Sequence, residues 1–154
     1  MWKARCPTHK CRALLSAVVL VALLKIAIPT NASAEEISLF DRKGEATAYL
    51  STDNDLTIYG WEGKPMGYLS GEHIYGYNGK HLGWLENGIV WDHEGSGVGF
   101  VKGAVNMLTN LESLKGLKEL RPLKSLKELP PLKPLKTRNW APIPLGLFLA
   151  AGSD

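Results

Sequence analysis

The 154-residue chain carries 18 lysines and arginines against 15 aspartates and glutamates, a formal net charge of +3, and two cysteines. That length suits one domain, and so balanced a charge argues against a nucleic-acid partner. Both cysteines, Cys6 and Cys11, precede the first apolar run, which excludes disulfides, thiol catalysis and zinc–thiolate sites from everything after it.

Residues 1–34 read as a signal peptide in helical form. Lys3, Arg5, Lys10 and Arg12 open it, Ala13 to Leu24 is uninterruptedly apolar, and Ala32-Ser33-Ala34 offers a small-x-small cleavage site, with cleavage expected after Ala34. Lys25 limits the apolar run to 12 residues, where crossing a bilayer takes roughly 20, so an uncleaved inner-membrane anchor is the weaker rival. No cysteine follows the run for lipid attachment. An exported domain without cysteines points to a bacterial periplasm or cell surface. The leader holds five basic residues and no acid, so the remainder is mildly acidic, at −2.

Residues 35–107 contain a fourfold repeat. FDRKGEATAYL from Phe40, YGWEGKPMGYL from Tyr59, YGYNGKHLGWL from Tyr75 and WDHEGSGVGFV from Trp91 align without a gap on the central glycines Gly44, Gly63, Gly79 and Gly95. Asn78-Gly79 is a strong signal for a two-residue type I′ turn, so each unit reads as a β-hairpin. With that loop Tyr77 faces Lys80, Tyr75 faces Leu82, and Gly76 faces His81. One face then collects Phe40, Tyr49, Tyr59, Trp61, Tyr68, Tyr75, Tyr77, Trp84, Trp91 and Phe100, together with Met66, Leu82 and Val98, and is expected to be the core. The other face is lined by Ala46, Ala48, Gly60, Gly67, Gly76, Gly83, Gly97 and Gly99, a sign of close backbone approach. Isolated hairpins are marginal in water, so the four must pack together, as a closed ring or an open stack; four units and an abrupt end of the pattern after Val101 favour the ring, and the fold class is all-β, with four hairpins in a pseudo-fourfold closed arrangement.

Residues 108–138 form a tail in which leucine recurs every third position from Leu111 to Leu135, with lysine after most of them. A period of three belongs to polyproline II rather than to the α-helix, and Pro122, Pro130, Pro131 and Pro134 agree; residues 108–120, without proline, leave a short helix open. From Leu111 onward the chain carries a charge of +4 against −6 for residues 35–110, so docking on its own domain is the first expectation. A linker or spacer is the second reading, and an external surface, either an anionic membrane or an acidic envelope polymer, the third. Nine leucines in phase are expected to be covered rather than left in water. The segment 139–154 contains an apolar stretch, Trp140 to Leu149, too short to span a bilayer; it either tucks against the domain or docks elsewhere.

The four hairpins followed by PLKSLKELPPLKPLK resemble the four-fold beta flower domain family, over Leu39 to about Lys136. That resemblance implies a ring of hairpins about a central axis and no agreed activity, so it carries over no functional residue.

Chemistry has few candidates. There is no phosphate-cradling loop and no His-x-x-x-His pair. Asp41, Asp92 and His81 fall on the small-residue face and could converge on an axis to bind a cation or move a proton, or Asp41 and Asp92 could simply stabilise turns. His73 and His93 fall on the aromatic face. Trp61 and Tyr77 are candidates for stacking on a sugar. The expected function is a non-catalytic exported module acting through protein or envelope interaction, without cofactor or metal; a carbohydrate or cell-wall binder and a small metal-dependent enzyme are the alternatives.

Overall fold

A computed structural model describes residues 35–53 and 55–153; the expected leader lies outside them. Eight antiparallel strands close into a barrel in chain order, the last pairing with the first. The hairpins are β1 (Glu36–Asp41) with β2 (Ala46–Ser51), β3 (Thr57–Gly60) with β4 (Pro65–Ser70), β5 (His73–Tyr75) with β6 (His81–Glu86), and β7 (Ile89–Trp91) with β8 (Gly97–Val101). Closure leaves no unpaired edge on units that would be marginal alone. The repeat thus makes the closed all-β ring that its alignment implies.

The turns differ from the two-residue loop expected. In the third hairpin Gly79 N–H donates to Gly76 O at 3.1 Å and Gly76 N–H to Lys80 O at 2.9 Å, and the other three hairpins repeat both bonds. Gly79 has φ +86, whereas Asn78 is not in the left-handed region. This is a type I turn closed by a left-handed glycine, with one residue more in the loop than a type I′ turn. A further irregularity follows in every hairpin: partners step from Ile74↔Gly83 to Tyr75↔His81, passing over Leu82. Thr47, Met66 and Val98 are passed over in the same way. Tyr75 therefore pairs with His81, not with Leu82, and His81 stands on the aromatic side of the sheet.

This bulge splits what the alternation joins into one face. Met66, Leu82 and Val98 turn into a cluster with Leu39, Leu50, Ile58, Ile74 and Val90, and that cluster is the barrel interior. The aromatics lie on the outer surface, stacked across neighbouring hairpins: Phe40 on Phe100 at 5.8 Å, Tyr49 on Tyr59 at 5.4 Å, Tyr68 on Tyr75 at 6.0 Å. They are buried even so, Tyr49 to 1% exposure: lysines of the tail lie over the tyrosines, and Trp140 lies against Phe100.

The apolar C-terminal stretch closes the barrel mouth. Helix α1 (Leu145–Ala150) touches β2, β4 and β8, which only an element set among the strands can do, and Leu145 and Leu149 are fully buried. The small inner residues make room for it: a Cβ on Gly99 would meet Leu145, and one on Gly83 would meet the ring of Phe148. Gly97 N–H donates to Asn139 O, and Asn78 Nδ2 to Ala151 O at 3.0 Å, so the plug sits at the end of the barrel that carries the hairpin turns.

Candidate functional site

Residues 107–137 have neither helix nor strand, and the short helix left open for residues 108–120 does not form. The tail instead runs past the four turns in order. The N–H groups of Asn110, Glu119, Glu128 and Thr137 donate to the carbonyls of Gly44, Gly63, Gly79 and Gly95 at 2.8, 3.0, 2.9 and 2.7 Å. These donors are nine residues apart, so three turns of a threefold chain advance the belt by one hairpin. The carbonyls of Leu108, Leu117, Leu126 and Leu135, also nine apart, lie so close to the turn glycines that a Cβ on any of them would overlap. The segments LKELRPLKS and LKELPPLKP, from Leu117 and Leu126, are two copies of this nine-residue unit. The shorter leucine period masks it in the sequence.

Three rows of side chains follow from a repeat of three. The first holds Asn110, Glu119, Glu128 and Thr137 and fastens the belt to the turns. The second is basic and faces the barrel. Lys115 lies 4.6 Å from the Tyr49 ring centre, Lys118 5.3 Å from Tyr59, Lys124 4.4 Å from Tyr68, Lys127 5.3 Å from Tyr75 and Lys136 5.3 Å from Trp91. The ammonium groups go on to carboxylates: Lys115 and Lys118 bracket Glu36 at 2.9 and 2.8 Å, Arg121 and Lys124 meet Asp55 at 2.8 and 3.2 Å, and Lys133 and Lys136 both close on Glu86. Hydrogen bonds from Lys133 and Lys136 hold the Glu86 carboxyl down at about 2. Burial, with Glu36 nearby, pushes the Tyr49 phenol up to about 12. Cation–π contact and ion pairing thus act on the same lysines.

The third row is leucine, and it faces away. All ten leucines from Leu108 to Leu135 are 91–100% exposed, contrary to the expectation that they would be covered. The reason lies in the barrel surface, where aromatic rings rimmed by carboxylates fit a lysine's stem and charge better than a branched alkyl group.

The sequence candidates do not converge. Asp41 Oδ1 accepts the N–H groups of Lys43 and Glu45 at 2.8 and 3.0 Å, and Asp92 Oδ1 those of Glu94 and Ser96 at 2.9 and 2.8 Å, so each carboxylate ties its own turn. His81 belongs to a file of imidazoles: its Nε2 is 2.9 Å from His73 Nδ1 and its Nδ1 2.9 Å from His93 Nε2. Burial and the two neighbouring rings push it down to about 4. Because both of its nitrogens are engaged on opposite sides, the three rings form a row rather than a pocket. Among the described residues no group of three or more histidines, cysteines or acids could hold a metal ion. Trp61 is half-buried, its Nε1 donating to Ser113 Oγ at 2.8 Å with Lys115 5.1 Å from its ring. Tyr77 is 3% exposed beneath the belt, and its carbonyl accepts from Ser125 N–H. A cleft of about 340 Å³ opens where the two ends of the belt meet, between Trp91, Met107, Arg138 and Trp140. Among the described residues no helix is long and apolar enough to cross a membrane.

A family model described as 4-fold beta flower protein matches residues 37–149, which takes in the hairpins, the belt and nearly all of α1. No curated protein and no solved structure matches the chain.

Proposed function

Since the chain belongs to the 4-fold beta flower family, whose name describes a shape and no reaction, we propose that it is an exported, non-catalytic interaction module whose contact surface is the outward leucine row of its belt. In this reading the tail's own partner is the barrel, and the belt presents leucines to the envelope. The observation that carries it is the division of labour in the tail: the cations turn inward to carboxylates and rings, while ten leucines stand at least 91% exposed. Side chains so exposed add little packing to the fold, and a long row of exposed apolar side chains supports a reading as a site of association.

Two observations weigh against the rival readings. Tyr49, Tyr59, Tyr68 and Tyr75 each carry a lysine over the ring, which occupies the face a sugar would stack on. Asp41 and Asp92 each serve their own turn, so these two carboxylates are not paired for acid–base work. The test is fractionation of cells making the chain or its Leu111→Ser, Leu120→Ser, Leu129→Ser triple variant. Cofractionation with the envelope by the parent and its loss in the variant, at equal thermal stability, is the expected outcome. Equal partitioning of both would remove the leucine row from the function.

A further inference from the structure

We infer that the leucine row seats on the apolar boundary of a lipid bilayer, an assignment that rests on the interaction reading above and names its partner. Size is the first ground. Ten leucines at on the order of 100 Å² apiece expose roughly 1,000 Å² in total, spread along a row of separate side chains that a surface broader than a single pocket would be needed to cover.

Uniformity is the second. The row is one residue type repeated, without a hydrogen-bonding side chain from Leu108 to Leu135. A folded protein partner is read through aromatic and arginine anchors and placed polar groups, and leucine is under-represented among such anchors. Hydrocarbon reads only apolar area, without direction, and that is all this row offers.

Charge is the third. Lys115, Lys118, Arg121, Lys124, Lys133 and Lys136 are in ion pairs with the barrel, so the outward face carries no free cation from that set to seek anionic headgroups. Lys127, the remaining lysine of the row, donates to Ser70 Oγ and lies over the Tyr75 ring, so the row's cations are turned to the barrel and the belt's seating is expected to be apolar. Continuity is the fourth. The belt is fastened at the turns, and at that same end the plug leaves Ile143 39% and Leu147 64% exposed. The belt's leucines and the plug's Ile143 and Leu147 are thus exposed at the same end of the barrel, beside charged turn residues such as Lys43, Glu62, Lys80 and Glu94. Between its anchors the belt is in neither helix nor strand, so many of its N–H groups are not paired within the chain, which places the contact at the headgroup–acyl boundary rather than in the bilayer core, where unpaired N–H groups are too costly.

The experiment uses the full chain with a photoreactive diazirine analogue of leucine incorporated, mixed with phosphatidylcholine vesicles, irradiated, digested with trypsin and mapped by mass. Phospholipid adducts are expected on peptides from residues 108–136, undiminished when salt is raised tenfold; adducts in the leader fall on separate peptides and do not count. The Leu111→Ser, Leu120→Ser, Leu129→Ser variant is expected to lose at least fivefold of the belt adducts with its melting temperature unchanged. Adducts that vanish with salt would overturn apolar seating in favour of headgroup attraction. Belt peptides joined to belt peptides of a second copy would overturn the lipid assignment and leave the interaction reading standing. A belt with no adducts of either kind would sink both.

Discussion

At Gly79 two separate demands fall on one residue: φ of +86, and a tail carbonyl, that of Leu126, where a Cβ would stand. Gly71 has φ of +64 with nothing within 4 Å of a Cβ, so it isolates the first demand. Gly71→Ala is expected to cost about 1–2 kcal/mol, the left-handed penalty alone. Gly79→Ala is expected to cost more and to expose the peptide bonds near Leu126 to protease, as read by denaturant midpoints and cleavage mapping. His81 makes a pH prediction. Its folded value, about 4, lies below the ordinary 6.5, so the unfolded chain takes up the proton first. Stability is then complete above about 6.5 and declines as pH falls toward 4. In His81→Gln that part of the slope should disappear from unfolding curves taken across the window.

For the belt, the grip ahead of its last anchor depends on Glu86, at the end of β6, which Lys133 and Lys136 share. Its folded value, about 2, is depressed from 4.5, so its contribution is complete above 4.5 and lost as pH falls toward 2. Amide exchange in residues 133–137 is expected to accelerate in that acid window, and Glu86→Gln should bring the faster exchange to neutral pH. The plug is held differently, by shape. Leu149 is fully buried among aliphatic side chains, and Leu149→Ala is expected to cost about 2–5 kcal/mol. A calorimetric loss below 1 kcal/mol would mean that α1 closes the mouth without stabilising it.

In the molecule as a whole, two repeats of different length run in step, hairpins of 16 to 19 residues inside and nine-residue belt units outside. The match is a matter of phase. One residue inserted after Arg121 would carry the leucines into the place of the lysines for the rest of the belt, and limited proteolysis is expected to cut everywhere C-terminal to the insertion while sparing residues 108–120. The exposed leucines carry no such burden. Because they touch little of the fold, the triple serine variant should melt within about 0.5 kcal/mol of the parent, and a larger loss would show that the row is structural.

The residues alone determined the number of hairpins, the four turn glycines and closure into a ring, because local backbone chemistry and the need to pair edges are written in short segments. They also determined the period of three in the tail. Which side of each strand is the inside was decided only by the tertiary structure. A bulge at Thr47, Met66, Leu82 and Val98 reverses alternation partway along a strand, and no local signal marks it. The same holds for the tail: its period set the rows, but which row faces the barrel depended on a surface of rings and carboxylates that exists only once the hairpins have closed. The histidine file is the plainest case, since His73, His81 and His93 come together only through strand pairing shifted by that one unpaired residue.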